Sequence, residues 1–186
     1  SVYGIKIASG ASTYFNNIIS LGGNSNTTIY GISQTGATGN DNNIYFNTIY
    51  IAGSPSSGTN KSYSLYSTGT ANARDFRNNI LVNARSTSGG SNLHYALYIA
   101  SDGGVITCDH NNYYVTGTGG VLGFYDVIKP TIPIVTGQDV GSVNADPTFA
   151  SPGGILSSDY IPADNYLLAA AAGTGITDDY DGTIRS

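Results

Sequence analysis

The stretch FNNIISLGG, residues 15–23, comes back three times along the chain: FNTIYIAGS at 46–54, FRNNILVNA at 76–84 and HNNYYVTGT at 110–118. Aligned on their asparagines, the copies place Asn16, Asn47, Asn78 and Asn111 on one rung, at steps of 31, 31 and 33 residues. A second phrase keeps nearly the same step. VYGIKI at 2–7, IYGISQ at 29–34, SYSLYS at 62–67 and HYALYI at 94–99 carry Tyr3, Tyr30, Tyr63 and Tyr95, spaced 27, 33 and 32. Two independent phrases sharing one period mark a repeat architecture.

A helical repeat needs apolar residues about 3.6 apart and many helix formers, and neither is present. Propeller blades repeat at about 40–45 residues, which is too long. Each unit here holds short alternating runs, such as Tyr3-x-Ile5-x-Ile7 and Asn16-x-Ile18, split by Gly- and Ser-rich loops. Period-two patterning is that of strands with one buried face. A coil of short parallel strands, each stacked about 4.8 Å above its counterpart, fits best and turns repeated residues into ladders. Asn amides bonding to the rung above and below satisfy a polar group that is costly to bury alone. Ile5, Ile32, Leu65 and Leu97 form an apolar ladder; Ile18, Ile49, Ile80 and Tyr113 form another, continued by Ser20, Ile51, Val82 and Val115.

The expected fold is therefore an all-β, right-handed parallel β-helix. At 186 residues and about 32 per coil it should hold five to six coils. Residues 1–120 contain the four clear coils, and 121–186 an irregular closing segment.

Composition agrees and narrows the function. Hydrophobic residues make up 40%, enough for a core, while only 10% are charged; there are 25 Gly and 15 Tyr. A net charge of −5 with seven scattered basic residues speaks against nucleic acid and anionic membranes. No apolar run reaches the roughly 20 residues of a membrane-spanning helix. The single cysteine, Cys108, allows no internal disulfide and reads as a small buried hydrophobe. Low charge with many Ser, Thr, Asn and Gly suits an extracellular bacterial surface. The first residue is Ser rather than Met, as in a processed mature form or a piece of something larger.

The Asn-Asn-Ile-hydrophobic phrase, as in Asn78-Asn79-Ile80-Leu81, resembles the coils of the pectin-lyase-like superfamily of right-handed parallel β-helix proteins. The tail, GQDVGSVNADPTFA at 137–150 and YLLAAAAGTGITDDYDGTIR at 166–185, is similar to the closing segment of secreted bacterial β-helix proteins. The resemblance implies the fold and a secreted location. That superfamily hosts lyases, hydrolases, esterases, adhesins and filament proteins, so activity must be argued from sites.

Polysaccharide cleavage needs two carboxyl groups about 5–9.5 Å apart, which stacked Asp residues would supply. Measured from the Asn rung, Asp41, Asp75, Asp102 and Asp109 sit at different offsets, so no stacked pair is expected. Asp75 and Asp109 differ by one position, which predicts opposite faces. Arg77 and His110 share the rung before the asparagine, beside Asp75 and Asp109, and form the best catalytic candidate. The acidic loop of Asp178, Asp179 and Asp181 offers oxygens to calcium, yet lacks a later bidentate acid and reads better as an Asx turn. No other cofactor is suggested.

Outward apolar residues remain: Ile19, Tyr50, Leu81 and Tyr114 on one strand, with Tyr66 and Tyr98 on the other. They are candidate contacts for a cell-surface polysaccharide or a protein, unless loops 53–62 and 85–92 cover them. The first strand presents Tyr3, Ile5 and Ile7 with an unpaired edge, a site for self-association head to tail into a fibre or for adjacent segments of a larger β-helix. The expected function is a non-catalytic extracellular structural or adhesive solenoid; the alternative is a carbohydrate-active domain, enzyme or glycan-binding module, using a groove along the coils.

Overall fold

A computed structural model describes residues 1–36, 38–69, 71–88, 92–100, 103–163 and 173–185. It is all-β: four strand triplets stack in parallel. They are β1 (Val2–Ile7), β2 (Ser12–Phe15) and β3 (Ile18–Leu21); β4 (Ile29–Gln34), β5 (Asn42–Tyr45) and β6 (Thr48–Ile51); β7 (Ser62–Ser67), β8 (Arg74–Arg77) and β9 (Ile80–Asn83); and β10 (His94–Ile99), β11 (Ile106–Asp109) and β12 (Asn112–Val115). β13 (Gly120–Tyr125) and the short β14 (Val127–Lys129) follow.

Three sheets run up the stack, in the orders β1-β4-β7-β10-β13-β14, β2-β5-β8-β11 and β3-β6-β9-β12. All pairings are parallel except the last, where β14 turns back antiparallel on β13. The molecule is thus a parallel β-solenoid of about three turns, β1 to β10, running on into a fourth. That is short of the five to six coils expected. The reason is that regular stacking ends at β13: β14 turns back on it, Val143 makes only a single bridge to Asn112, and residues 146–160 lie along the outside of the third sheet.

The interior is a column of ladders. Ile5–Ile32–Leu65–Leu97 pairs as the repeat predicts. In the third sheet the inner ladder is Ile19–Ile49–Leu81–Tyr113, all buried. Ile18, Thr48, Ile80 and Asn112 lie beside it, directed outward. The sequence alignment had slipped by one residue in the first and third coils, because each contains Asn-Asn and either asparagine fits the phrase. A slip of one exchanges the two faces of a strand. Ile19 and Leu81 therefore belong to the core, whereas Tyr50 and Tyr114 do face outward.

The first sheet breaks the alternation. Gly31, Ser64 and Ala96 point inward beside Ile32, Leu65 and Leu97: a Cβ on Gly31 would overlap the Ile49 side chain, and Ser64 Oγ bonds Val82 O at 2.9 Å. Two consecutive residues enter the core only because the first of each pair is small. Tyr3 consequently faces out while Ile5 and Ile7 face in, so the three do not form one apolar surface.

Candidate functional site

The bend between the second and third sheets builds the Asn ladder. Asn16, Phe46, Asn78 and His110 adopt left-handed backbone, with φ of 57°, 53°, 61° and 51°. Asparagine tolerates that conformation better than most residues, so the Asn-Asn pair is used twice there. The residue after it carries the ladder: Asn17, Asn47, Asn79 and Asn111. Nδ2 of each of the first three donates to Oδ1 of the next, at 2.8, 3.0 and 3.0 Å. The rung read from sequence as Asn16, Asn47, Asn78 and Asn111 is therefore half correct; Asn16 and Asn78 hold the bend instead.

The same correction regroups the catalytic candidates. Arg77 pairs in register with Tyr45 and Asp109, not with His110. Asp75 and Asp109 end two positions apart, on the same outer face of the second sheet rather than on opposite faces. Asp75 grips Arg77 through both oxygens, at 2.7 Å to Nε and 2.6 Å to Nη2, and accepts the Tyr45 hydroxyl at 2.7 Å. This carboxylate raises the Arg77 guanidinium further above its already high range and keeps it charged. Burial pulls the Asp109 carboxyl up, but the N–H groups of Gly141 and His110, donating at 2.7 and 2.9 Å, outweigh it and hold it below the ordinary range. His110 Nδ1 lies 3.1 Å from the other Asp109 oxygen, and its ring fills the space a side chain at Gly141 would need. A general acid of a glycosidase needs a carboxyl raised toward neutrality; Asp109 moves the other way. Asp102 lies outside the described residues.

Neither aromatic stripe is a free surface. Tyr50 packs against Phe149 and Tyr160, whose hydroxyl bonds Ser20 at 2.6 Å, and Tyr114 bonds Asp146 at 3.1 Å. The cover on this strand is thus the returning segment 146–160. On the first sheet Tyr66 and Tyr98 do face outward, stacked at 5.2 Å with Phe124 continuing at 4.6 Å. Beside them Tyr3, Tyr30, Tyr63 and Tyr95 stack at 4.8, 5.1 and 5.4 Å, within 10° of parallel. Sugars bind aromatic side chains across the ring face. Here each face inside a column rests on the next ring, and only edges and hydroxyls remain outside.

The tail forms a turn. Asp179 Oδ1 accepts the N–H groups of Asp181 and Thr183, at 3.2 and 2.9 Å, and Asp181 Oδ1 accepts Thr183 N–H at 3.1 Å. Asp178 is engaged through its carbonyl, which receives Asn16 Nδ2 and Arg185 Nε. Among the described residues, no group of three or more His, Cys or Asp side chains is placed to hold a metal ion. The YLLAAAA part of the closing segment lies outside the described residues.

Sequence reasoning missed three buried polar side chains. Arg85 is fully buried and reaches across two coils to donate to the carbonyls of Gly23, at 3.1 Å, and Ser25, at 2.7 Å. Burial lowers its pKa. Arg74 donates to Ser67 and Gly103 under the neighbouring corner. His94 lies between Ser62 and Thr87, each 2.9 Å from one ring nitrogen; burial, aided by the Arg85 charge, pushes it down to about 4. Their only sequence signal was that Arg74 and His94 fall at inward positions of the repeat. Cys108 sits in the second-sheet core column with Ile44 and Phe76, as expected.

Compared with family models, curated proteins and solved structures, the chain matches none. Among the described residues no helix is long and apolar enough to cross a membrane.

Proposed function

We propose that this chain is a non-catalytic structural or adhesive β-solenoid of the extracellular bacterial surface, a member of the pectin-lyase-like group that its Asn-Asn-Ile phrase resembles. One observation carries this reading: the side chains best suited to chemistry are spent on one another. Arg77 is clamped by Asp75, and Asp109 is held ionised by main-chain N–H groups. The outer tyrosines likewise use their ring faces in stacking. Low charge and abundant Ser, Thr, Asn and Gly support a place outside the cell.

Of the two polypeptide partners expected, adjacent β-helix coils fit better than a head-to-tail copy. Head-to-tail pairing needs a free upper edge. That end is closed by β14 on β13, by Ile134 and Val135 in the core, and by Val143 bridged to Asn112.

The test is a polysaccharide panel read for new reducing ends and for unsaturated-uronate absorbance. The expected result is none above background. Activity that disappears in both Arg77→Ala and His110→Ala would overturn the proposal.

A further inference from the structure

The outer face of the first sheet carries two columns set by the coil register. One is Tyr3–Tyr30–Tyr63–Tyr95; the other is Lys6–Ser33–Tyr66–Tyr98–Phe124. In-register parallel strands stack like residues one strand spacing, about 4.8 Å, apart. Tyr66 and Tyr98 accordingly sit 5.2 Å apart, with ring planes 17° from parallel. The columns also interlock edge to face. Tyr66 lies 5.1 Å from Tyr30 and 4.9 Å from Tyr63, and Tyr98 lies 5.3 Å from Tyr63 and 5.1 Å from Tyr95. The six phenols form one continuous array of ring contacts.

Such an array suits one-electron oxidation. Removing an electron and the hydroxyl proton from tyrosine leaves a neutral phenoxyl radical, its unpaired electron spread over the oxygen and the ring carbons beside it. Rings in contact exchange that vacancy, so a radical made on one member reaches the others. Two radicals join ortho carbon to ortho carbon, and each ring then regains aromaticity by passing its ortho hydrogen to oxygen. In sum, two tyrosines become one dityrosine and release two protons and two electrons. The electrons go to an external oxidant, such as a haem peroxidase that reduces one hydrogen peroxide to two waters.

Burial and neighbours decide which pair can join. The biaryl bond holds two ring centroids slightly closer than the strand spacing but sets the rings edge to edge, so both must swing out of the stack. Tyr63 and Tyr95, 8% and 2% exposed, are held in place. Tyr3 carries the Lys6 ammonium 5.1 Å over its ring, a cation that opposes drawing an electron from it. Tyr66 and Tyr98 are half-buried, with their hydroxyl edges outward. Their column continues into Ser33 on one side and Phe124, 4.6 Å from Tyr98, on the other, and neither forms a phenoxyl radical. Within the array, one pair is left.

We propose that Tyr66 and Tyr98 are an oxidative cross-linking site, coupling to a dityrosine that ties the third coil to the fourth. The other tyrosines collect oxidising equivalents and deliver them to this pair. The bond closes the chain between β7 and β10 and restricts its unfolded state, as a disulfide there would. The chain is here the substrate of an oxidation and supplies no catalyst, so the proposal stands apart from the non-catalytic reading.

The test photo-oxidises the dilute full chain with tris(bipyridine)ruthenium and persulfate and isolates the monomer. Dityrosine is then located by its fluorescence and by mass spectrometry of a digest. The expected product is a monomer lighter by two hydrogen atoms, its main cross-link joining the peptides that carry Tyr66 and Tyr98. Tyr66→Phe and Tyr98→Phe keep the stacked rings and should each abolish that cross-link. Tyr180→Phe, which alters an exposed tyrosine outside the columns, should leave the yield unchanged. The chain unfolded in urea should spread its cross-links over many pairs. Monomer without dityrosine, a main cross-link at another pair, or one pattern shared by folded and unfolded chain would overturn the proposal. The mapping on the parent chain decides without the variants, so a variant that fails to fold does not leave the question open.

Discussion

Replacing Asn79 with leucine probes the Asn ladder, because the two side chains share the same branched skeleton of four heavy atoms while every polar contact is lost. Asn79 Nδ2 donates to Asn111 Oδ1, Ile44 O and Arg77 O, at 3.0, 2.8 and 3.1 Å; its Oδ1 accepts Asn47 N–H and Nδ2, at 3.1 and 3.0 Å. Some partners keep other bonds. Arg77 O still receives Phe46 N–H, Asn47 Nδ2 still reaches Tyr14 O and Tyr45 O, and Asn111 Oδ1 keeps the Asn79 N–H. Asn47 N–H, inside the bend, is left stranded, and Ile44 O loses an acceptor bond. A buried unsatisfied group costs about 1–3 kcal/mol, so the loss should total about 3–5 kcal/mol. At 2–4 °C per kcal/mol for a domain of this size, the melting temperature should fall by about 10 °C. Asn78→Leu is the control, since Asn78 holds the left-handed bend, where a bulky residue costs about 1–2 kcal/mol. Thermal melts by circular dichroism compare the two. Equal losses, or a larger loss at Asn78, would refute the assignment of ladder and bend.

Further outcomes follow from the other buried groups. His94 is held neutral, at about 4 against an ordinary 6.5, so the unfolded chain takes up a proton that the native one refuses. Stability should be complete above about pH 6.5 and fall as the pH drops toward 4, by at most about 3 kcal/mol, a slope that denaturant titrations should find reduced in His94→Gln. Arg85→Met should cost about 2–4 kcal/mol by stranding the carbonyls of Gly23 and Ser25, with the melting temperature as readout. Tyr50→Ser removes the ring on which Phe149 and Tyr160 rest, and limited proteolysis should then cut first within 146–160.

By itself the sequence determined the architecture, and it did so because a solenoid is written locally. Each coil repeats its own strand alternation and bend residue, so the period of Tyr3, Tyr30, Tyr63 and Tyr95 and the recurring Asn-Ile phrases predict stacked parallel strands without any long-range information. Register was another matter. Asn16-Asn17 and Asn78-Asn79 offer two equivalent letters, and only the stacked backbone shows which one takes the positive φ and which one bonds upward. That single residue decided whether Ile19 and Leu81 were surface or core, and whether Arg77 met His110 or Asp109. The end and the cover were decided by tertiary structure alone. Past β13 the strand triplets stop, so the repeat does not tell that Ile134 would plug the core, that Tyr160 would reach Ser20, or that Arg185 would lie 3.7 Å over the Phe46 ring. Those contacts join residues far apart in the chain through surface shape, which a local pattern does not encode.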